Sequence, residues 1–137
     1  MNTMIAVADS SYVSAARREI ESIARRIGFD DEDTGRAALV ATELATNLTR
    51  HGNGGQLLAL TLAADRAAAL ELIAIDRGPG IANVAESLRD GISTFGAAGS
   101  SAGTGLGAIR RQADLFDIFS LPGRGTAVLA QLWPQRR

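Results

Sequence analysis

Apolar positions along the chain change period several times, and each change marks an element. Residues 3–8 read as a short first strand, after which Asp9, Ser10 and Ser11 supply side-chain oxygens of the kind that start helices. Val13, Ala16, Ile20, Ile23, Ala24 and Ile27 follow at helical spacing, which predicts an amphipathic helix that stops at Gly28. A second helix opens on the acids at Asp30 to Asp33, where exposed backbone N–H groups favour negative charge. It carries Val40, Leu44 and Leu48 as a core stripe and runs to about Gly52, where Asn53, Gly54 and Gly55 break it. Residues 56–63 and 68–76 read as an antiparallel hairpin turning at Asp65 and Arg66. A short helix is predicted over 84–89. The small, uncharged residues 91–103 are expected to be mobile. A helix over 105–114 and a strand pair over 115–121 and 126–132, turning at "PGRG", close the chain. The order strand, helix, helix, two strands, helix, two strands predicts a two-layer sandwich with the helices on one face of the sheet.

Composition narrows the class. At 137 residues the chain is long enough for one domain and short for two, and no internal repeat or linker divides it. It is 46% hydrophobic and 21% charged, a globular balance. A formal net charge of −1 argues against a nucleic-acid partner held by bulk charge. No stretch has the length of a membrane span and the first residues do not resemble a signal peptide, so a cytoplasmic protein with no membrane partner is expected. Cysteine is absent, which excludes disulfides, thiolate metal sites and cysteine nucleophiles. All 14 basic residues are arginine, so there is neither a P-loop lysine nor a Schiff-base lysine. A Ser-His-Asp triad would have to use His51, the one histidine, and no strand-turn-helix GxSxG surrounds any serine, which argues against a serine hydrolase.

The chemistry concentrates in four stretches. "ATELATNLTRHG" places Glu43, Asn47 and His51 at steps of four, one row on the face opposite the core stripe. A carboxylate there can take a proton from an attacking hydroxyl, and an asparagine oxygen one turn on suits Mg²⁺ that arrives with phosphate. Equally, Glu43 could be a solvated helix residue pairing with Arg36 or Arg50, and His51 a cation at a helix C-terminus. "DRGPG" puts Asp76 at a strand end ahead of Gly78 and Gly80: either a plain turn, or a carboxylate that accepts from an amine with room for a ligand beside it. "GTGLG", residues 103–107, lies where the small-residue stretch becomes a helix and is either a flexible loop or a phosphate cradle of backbone N–H groups. It does not fit a dinucleotide fold, because no parallel strand leads into it. "GRGT", ending at Thr126, reads as a hairpin turn with a hydroxyl at a strand start.

In that order the four stretches resemble the N box and the three glycine boxes of the GHKL (Bergerat-fold) ATPases and kinases, over nearly the whole chain. Within that superfamily the sequence is most similar to the switch serine/threonine kinases related to anti-sigma-factor kinases. The resemblance implies an α+β fold: a two-layer α/β sandwich, its sheet mixed and mostly antiparallel, with helices on one face. It implies a single ATP-binding kinase domain over 1–137 with a mobile lid at about 91–103. Glu43 would be the general base and Asn47 the Mg²⁺ ligand. Asp76 would read adenine, with Gly78, Gly80 and Ile81 around the base. Gly103, Thr104, Gly105, Leu106 and Gly107 would cradle phosphate, Thr126 would sit near adenine, and Arg50 would reach phosphate. The implied cofactors are ATP and Mg²⁺, and the implied substrates are Ser/Thr side chains of STAS-domain proteins in a partner-switching stress response. The alternative is a non-catalytic nucleotide switch that activates a PP2C-type phosphatase or sequesters a sigma factor; an ATPase of the gyrase or Hsp90 type is a further rival. The lid stretch carries no basic residue, so charge on a γ-phosphate would fall to Mg²⁺, the helix start and Arg50, and turnover would be slow.

Overall fold

The computed structural model describes residues 2–50, 53–63, 68–81 and 105–135. The helix expected over 84–89, the lid expected at 91–103, the turn expected at 65–66 and the positions His51, Gly103 and Thr104 lie outside them. The described chain runs β1 (Asn2–Val7), a 3₁₀ turn (Ser10–Tyr12), α1 (Val13–Arg26), α2 (Asp31–Arg50), β2 (Gly55–Ala63), β3 (Ala68–Asp76), α3 (Leu106–Gln112), β4 (Leu115–Leu121) and β5 (Gly125–Leu132). Five strands form one sheet in the order β1-β2-β3-β5-β4, and each of these pairings is antiparallel. This is the α+β sandwich expected from the sequence, except that the sheet is antiparallel throughout its described strands where a mixed one was expected.

Local chemistry sets the helix starts. Asp9 Oδ1 accepts from the Ser11 N–H at 2.9 Å and opens the 3₁₀ turn. At α2, Asp30 Oδ1 accepts from the Asp33 N–H at 2.8 Å, and Asp31, Glu32 and Asp33 fill the first turn. α1 buries Ala16, Ile20, Ile23 and Ala24. α2 buries Val40, Leu44 and Leu48 along the anticipated stripe, with Ala37, Ala41 and Ala45 beside it. These pack on the inward residues of the sheet, among them Leu57, Leu70, Leu72, Ala74, Val128, Ala130 and Leu132. Full burial of each branched side chain contributes about 1.5–3 kcal/mol. The small residues on α2 let it lie close to both α1 and the sheet, so the polar row containing Glu43 and Asn47 is carried by a well-anchored element.

Strand alternation then decides what reaches the helix-covered side. Thr126, Val128, Ala130 and Leu132 alternate inward along β5, and Asp76 is the register partner of Thr126. Both polar residues therefore arrive at the same end of the sheet, beneath α2.

Candidate functional site

A cleft opens at that end. Leu44, Asn47 and Leu48 of α2 form one wall, Ala74 and Asp76 of β3 with Thr126 and Val128 of β5 form the floor, and Gly80, Ile81 and Leu106 close it. Four stretches far apart in sequence thus meet around one concavity, mostly apolar with a few convergent polar groups, as small-molecule sites are.

The floor is fixed largely by backbone groups. Asp76 Oδ1 accepts from the Gly78 N–H at 2.8 Å, which orients the carboxylate. The Ile81 N–H donates to Ser120 Oγ at 2.7 Å, and Ser120 Oγ lies 2.9 Å from Thr126 Oγ1. The Gly123 N–H donates to the Pro79 carbonyl at 2.7 Å, tying the β4–β5 turn to the "DRGPG" loop. Gly80 has φ +78°, and a Cβ there would collide with the Leu121 carbonyl. The space at this glycine therefore serves the approach of the β4–β5 turn, a use beside the plain turn and the ligand approach that the sequence offered. Ser120, which bonds two cleft-lining residues and so supports the floor, was missed by the sequence reading. Its signal was cross-strand pairing, since Ser120 faces Thr126 in the β4–β5 register.

The opposite side is built on helices. Glu43 is half-buried on α2 and abuts Gly105, which caps α3 with φ +72°; a Cβ on Gly105 would overlap the Glu43 carboxylate. Only glycine both adopts that conformation without strain and leaves the carboxylate in place. Burial pushes the Glu43 carboxyl above the ordinary glutamate value, and the positive charge of Arg50 partly offsets the rise. Arg50, exposed at the end of α2, is thus the basic neighbour that Glu43 feels. Arg36 is not: its guanidinium bonds Asp33 and Asp114, each at 3.1 Å. Gly107 lies within the first turn of α3, and Leu106 and Ile109 are fully buried beneath it.

No group of three or more His, Cys, Asp or Glu residues able to hold a metal occurs among the described residues. The Asn47 side chain at the cleft wall nevertheless offers a hard oxygen, which fits an Mg²⁺ ion that brings phosphate oxygens and water with it and takes few protein ligands.

The sandwich, with an acidic strand end, glycine turns and a polar helix row around one cleft, defines a nucleotide-binding domain of the Bergerat type. The chain belongs to the histidine kinase-like ATPase domain family, whose profile matches residues 6–132. It is 34% identical over 122 residues to the serine/threonine-protein kinase RsbT of Bacillus subtilis (strain 168), an alignment that covers 88% of each chain. Among solved structures it is similar to the catalytic domain of the histidine kinase ThkA, with a TM-score of 0.53 at 14% identity over 96% of this chain and 95% of that one. The mycobacterial sensor histidine kinase MprB gives a TM-score of 0.50 at 15% identity over 96% and 97%. At such identities these structures bear on the fold alone. An ATPase domain implies an ATP site, and the cleft is where residues of all four stretches gather: Asn47, Asp76, Leu106 and Thr126. No described helix is long and apolar enough to cross a membrane.

Proposed function

We propose that the chain, as one domain, is an ATP-dependent protein serine/threonine kinase of a partner-switching module that acts on STAS-domain proteins. The observation that carries the reading is the half-buried Glu43 carboxylate held against Gly105, whose neighbour Leu106 closes the cleft floored by Asp76 and Thr126. The 34% identity to a protein named as a serine/threonine kinase supports the same conclusion.

In this reading Asp76 accepts a hydrogen bond from the exocyclic amine of adenine, Thr126 contributes its hydroxyl nearby, and Gly78, Gly80 and Ile81 border the base. The second glycine box, from Gly103 through Gly107, offers backbone N–H groups to the phosphates, and Arg50 faces the γ-phosphate. Asn47 would hold Mg²⁺, which when bound neutralises phosphate charge. The hydroxyl oxygen of the docked Ser or Thr attacks the γ-phosphorus in line. Its proton passes to Glu43, the bond to the bridging oxygen breaks, and ADP leaves with the electron pair. A base whose carboxyl is raised by burial has the higher proton affinity that such a transfer uses.

The test is incubation of the purified chain with Mg²⁺, γ-labelled ATP and STAS domains from the same genome. Label on a Ser or Thr of one domain, lost with Glu43→Ala while nucleotide still binds, is the expected result. Nucleotide binding without transfer to any domain would favour the non-catalytic switch, acting on a PP2C-type phosphatase or a sigma factor. Steady hydrolysis that needs no acceptor would favour an ATPase of the gyrase or Hsp90 type.

A further inference from the structure

Arg36 lies near the start of α2 and plays no part in the chemistry above, yet it is among the most heavily engaged side chains described. Nη1 donates to Asp33 Oδ1 at 3.1 Å and to the Trp133 carbonyl at 3.3 Å. Nη2 donates to the Gln112 carbonyl at 2.6 Å and to Asp114 Oδ2 at 3.1 Å. Two contacts from each terminal nitrogen match its two hydrogens. The carboxylates are held in turn: Asp33, 2% exposed, accepts from the Gln135 N–H at 3.1 Å, and Asp114 accepts from the Trp133 N–H at 2.8 Å and Gln135 Nε2 at 3.0 Å. The clasp joins the start of α2, the end of α3, the start of β4 and the segment after β5.

Its position along the helices gives it a consequence. Arg36 stands seven residues before Glu43 on α2, and Gln112 stands seven residues after Gly105 at the two ends of α3. At 1.5 Å per residue both spans are about 10.5 Å. The helices run in opposite directions and touch at both ends, Glu43 against Gly105 at one and Arg36 on the Gln112 carbonyl at the other. Between them lie Leu106 and Ile109, fully buried. Apolar burial presses α3 down but is non-directional, so it resists axial sliding weakly. The Arg36 hydrogen bonds are directional and charge-assisted, and one of them takes a carbonyl from the last turn of α3, which has no partner within the helix.

We infer that Arg36 is a positioning residue that sets the axial register of α3 on α2, and through it the distance between the second glycine box and the Glu43 carboxylate. Lysine is a poor substitute, because three donors on one tetrahedral nitrogen cannot reach two carboxylates and two carbonyls spread around a planar fork. The inference rests on the kinase reading only for its rate measurement. A slip of one helical residue would move the Gly105 backbone by about 1.5 Å against the base, a displacement of the size that costs on the order of 100-fold in rate.

The test compares wild type, Arg36→Gln, Arg36→Lys and Asp114→Asn below their melting temperatures. Two quantities are read: kcat for transfer from ATP, and the ratio of ATP to adenosine affinity, which reports the phosphate cradle separately from the base pocket. Arg36→Gln is expected to lower kcat at least about 10-fold and to shrink the affinity ratio by a similar factor, with adenosine affinity unchanged. Arg36→Lys should fall between it and wild type, and Asp114→Asn should show a smaller loss of the same kind. A merely structural role would lower the melting temperature and leave both quantities alone in the folded variants, and that result overturns the inference. If Arg36→Gln does not fold, an unchanged affinity ratio in folded Asp114→Asn overturns it instead. If wild type transfers no phosphate and Arg36→Gln still shrinks the ratio, the kinase reading falls and the register role stands.

Discussion

The two sides of the cleft are built by different means. The floor is made of sheet and turns: Asp76 is oriented by the Gly78 N–H, Pro79 by the Gly123 N–H, and Thr126 by a Ser120 hydroxyl that the Ile81 N–H also engages. The opposite wall is made of two helices, and its geometry depends on side chains: Glu43 against Gly105 and Arg36 on the end of α3. Backbone-held surfaces are stiff and suit recognition. A helix seated on apolar contacts has an axial freedom that must be restrained if the reacting groups are to meet. The difference assigns recognition of the base to the floor, and phosphate placement and rate to the helical wall, and single substitutions can separate the two.

The largest expected effect is on the helical wall. Glu43→Gln should cut phosphoryl transfer by about 100- to 10,000-fold while nucleotide affinity changes little, which transfer kinetics beside a binding titration will measure. An equal loss of both would place Glu43 among the structural residues and erase the contrast. Next comes the floor: Asp76→Asn exchanges an acceptor for a donor and should weaken ATP by about 1–3 kcal/mol. If kcat at saturating ATP falls as far as affinity does, the division of labour is wrong. Ser120→Ala leaves the Ile81 N–H and the Thr126 hydroxyl without their shared partner, and it should cost about 1 kcal/mol of ATP affinity, less than Asp76→Asn.

The smallest effect concerns pH. Because burial raises the folded-state pKa of Glu43, the fold favours its protonated form. That favourable contribution is complete below the unfolded-state pKa and is lost as pH rises through the folded-state value. Glu43→Gln, uncharged throughout, should therefore melt slightly higher than wild type at neutral pH, and the advantage should vanish below about pH 3, where both states of wild type are protonated. A wild-type protein that melts higher than the variant at neutral pH would mean that the Arg50 charge outweighs burial at this carboxylate.

Much of this was legible from the chain because its cues are local. The period of Val40, Leu44 and Leu48 fixed which face of α2 turns inward, but the row of Glu43 and Asn47 is not opposite that stripe as expected: at 3.6 residues per turn the two rows are only about 60° apart, and Asn47 shares the cleft wall with Leu44 and Leu48. β3 and β4 occupy the anticipated spans, and β2 and β5 each begin one residue earlier than anticipated, at Gly55 and Gly125. What escaped the sequence depends on long-range geometry. Arg36 looked like a neighbour of Glu43 along one helix, yet it pairs with Asp114, 78 residues away, because α3 ends beside the start of α2. Ser120 had no motif of its own and gained its place only through register with Thr126. Gly80 read either as part of a plain turn or as room for a ligand, and the nearest obstacle to a Cβ is the Leu121 carbonyl of a distant strand. Glycine patterns show where backbone must come close, but not to what.

The central claim is that this cleft takes up ATP with Asp76 as its acceptor. Calorimetric titration of the folded chain with ATP and Mg²⁺, beside the Asp76→Asn variant, tests it most directly. Saturable one-site uptake by wild type, clearly weakened in the variant, is the predicted result; no uptake by folded wild type, or equal affinity in both, would contradict it.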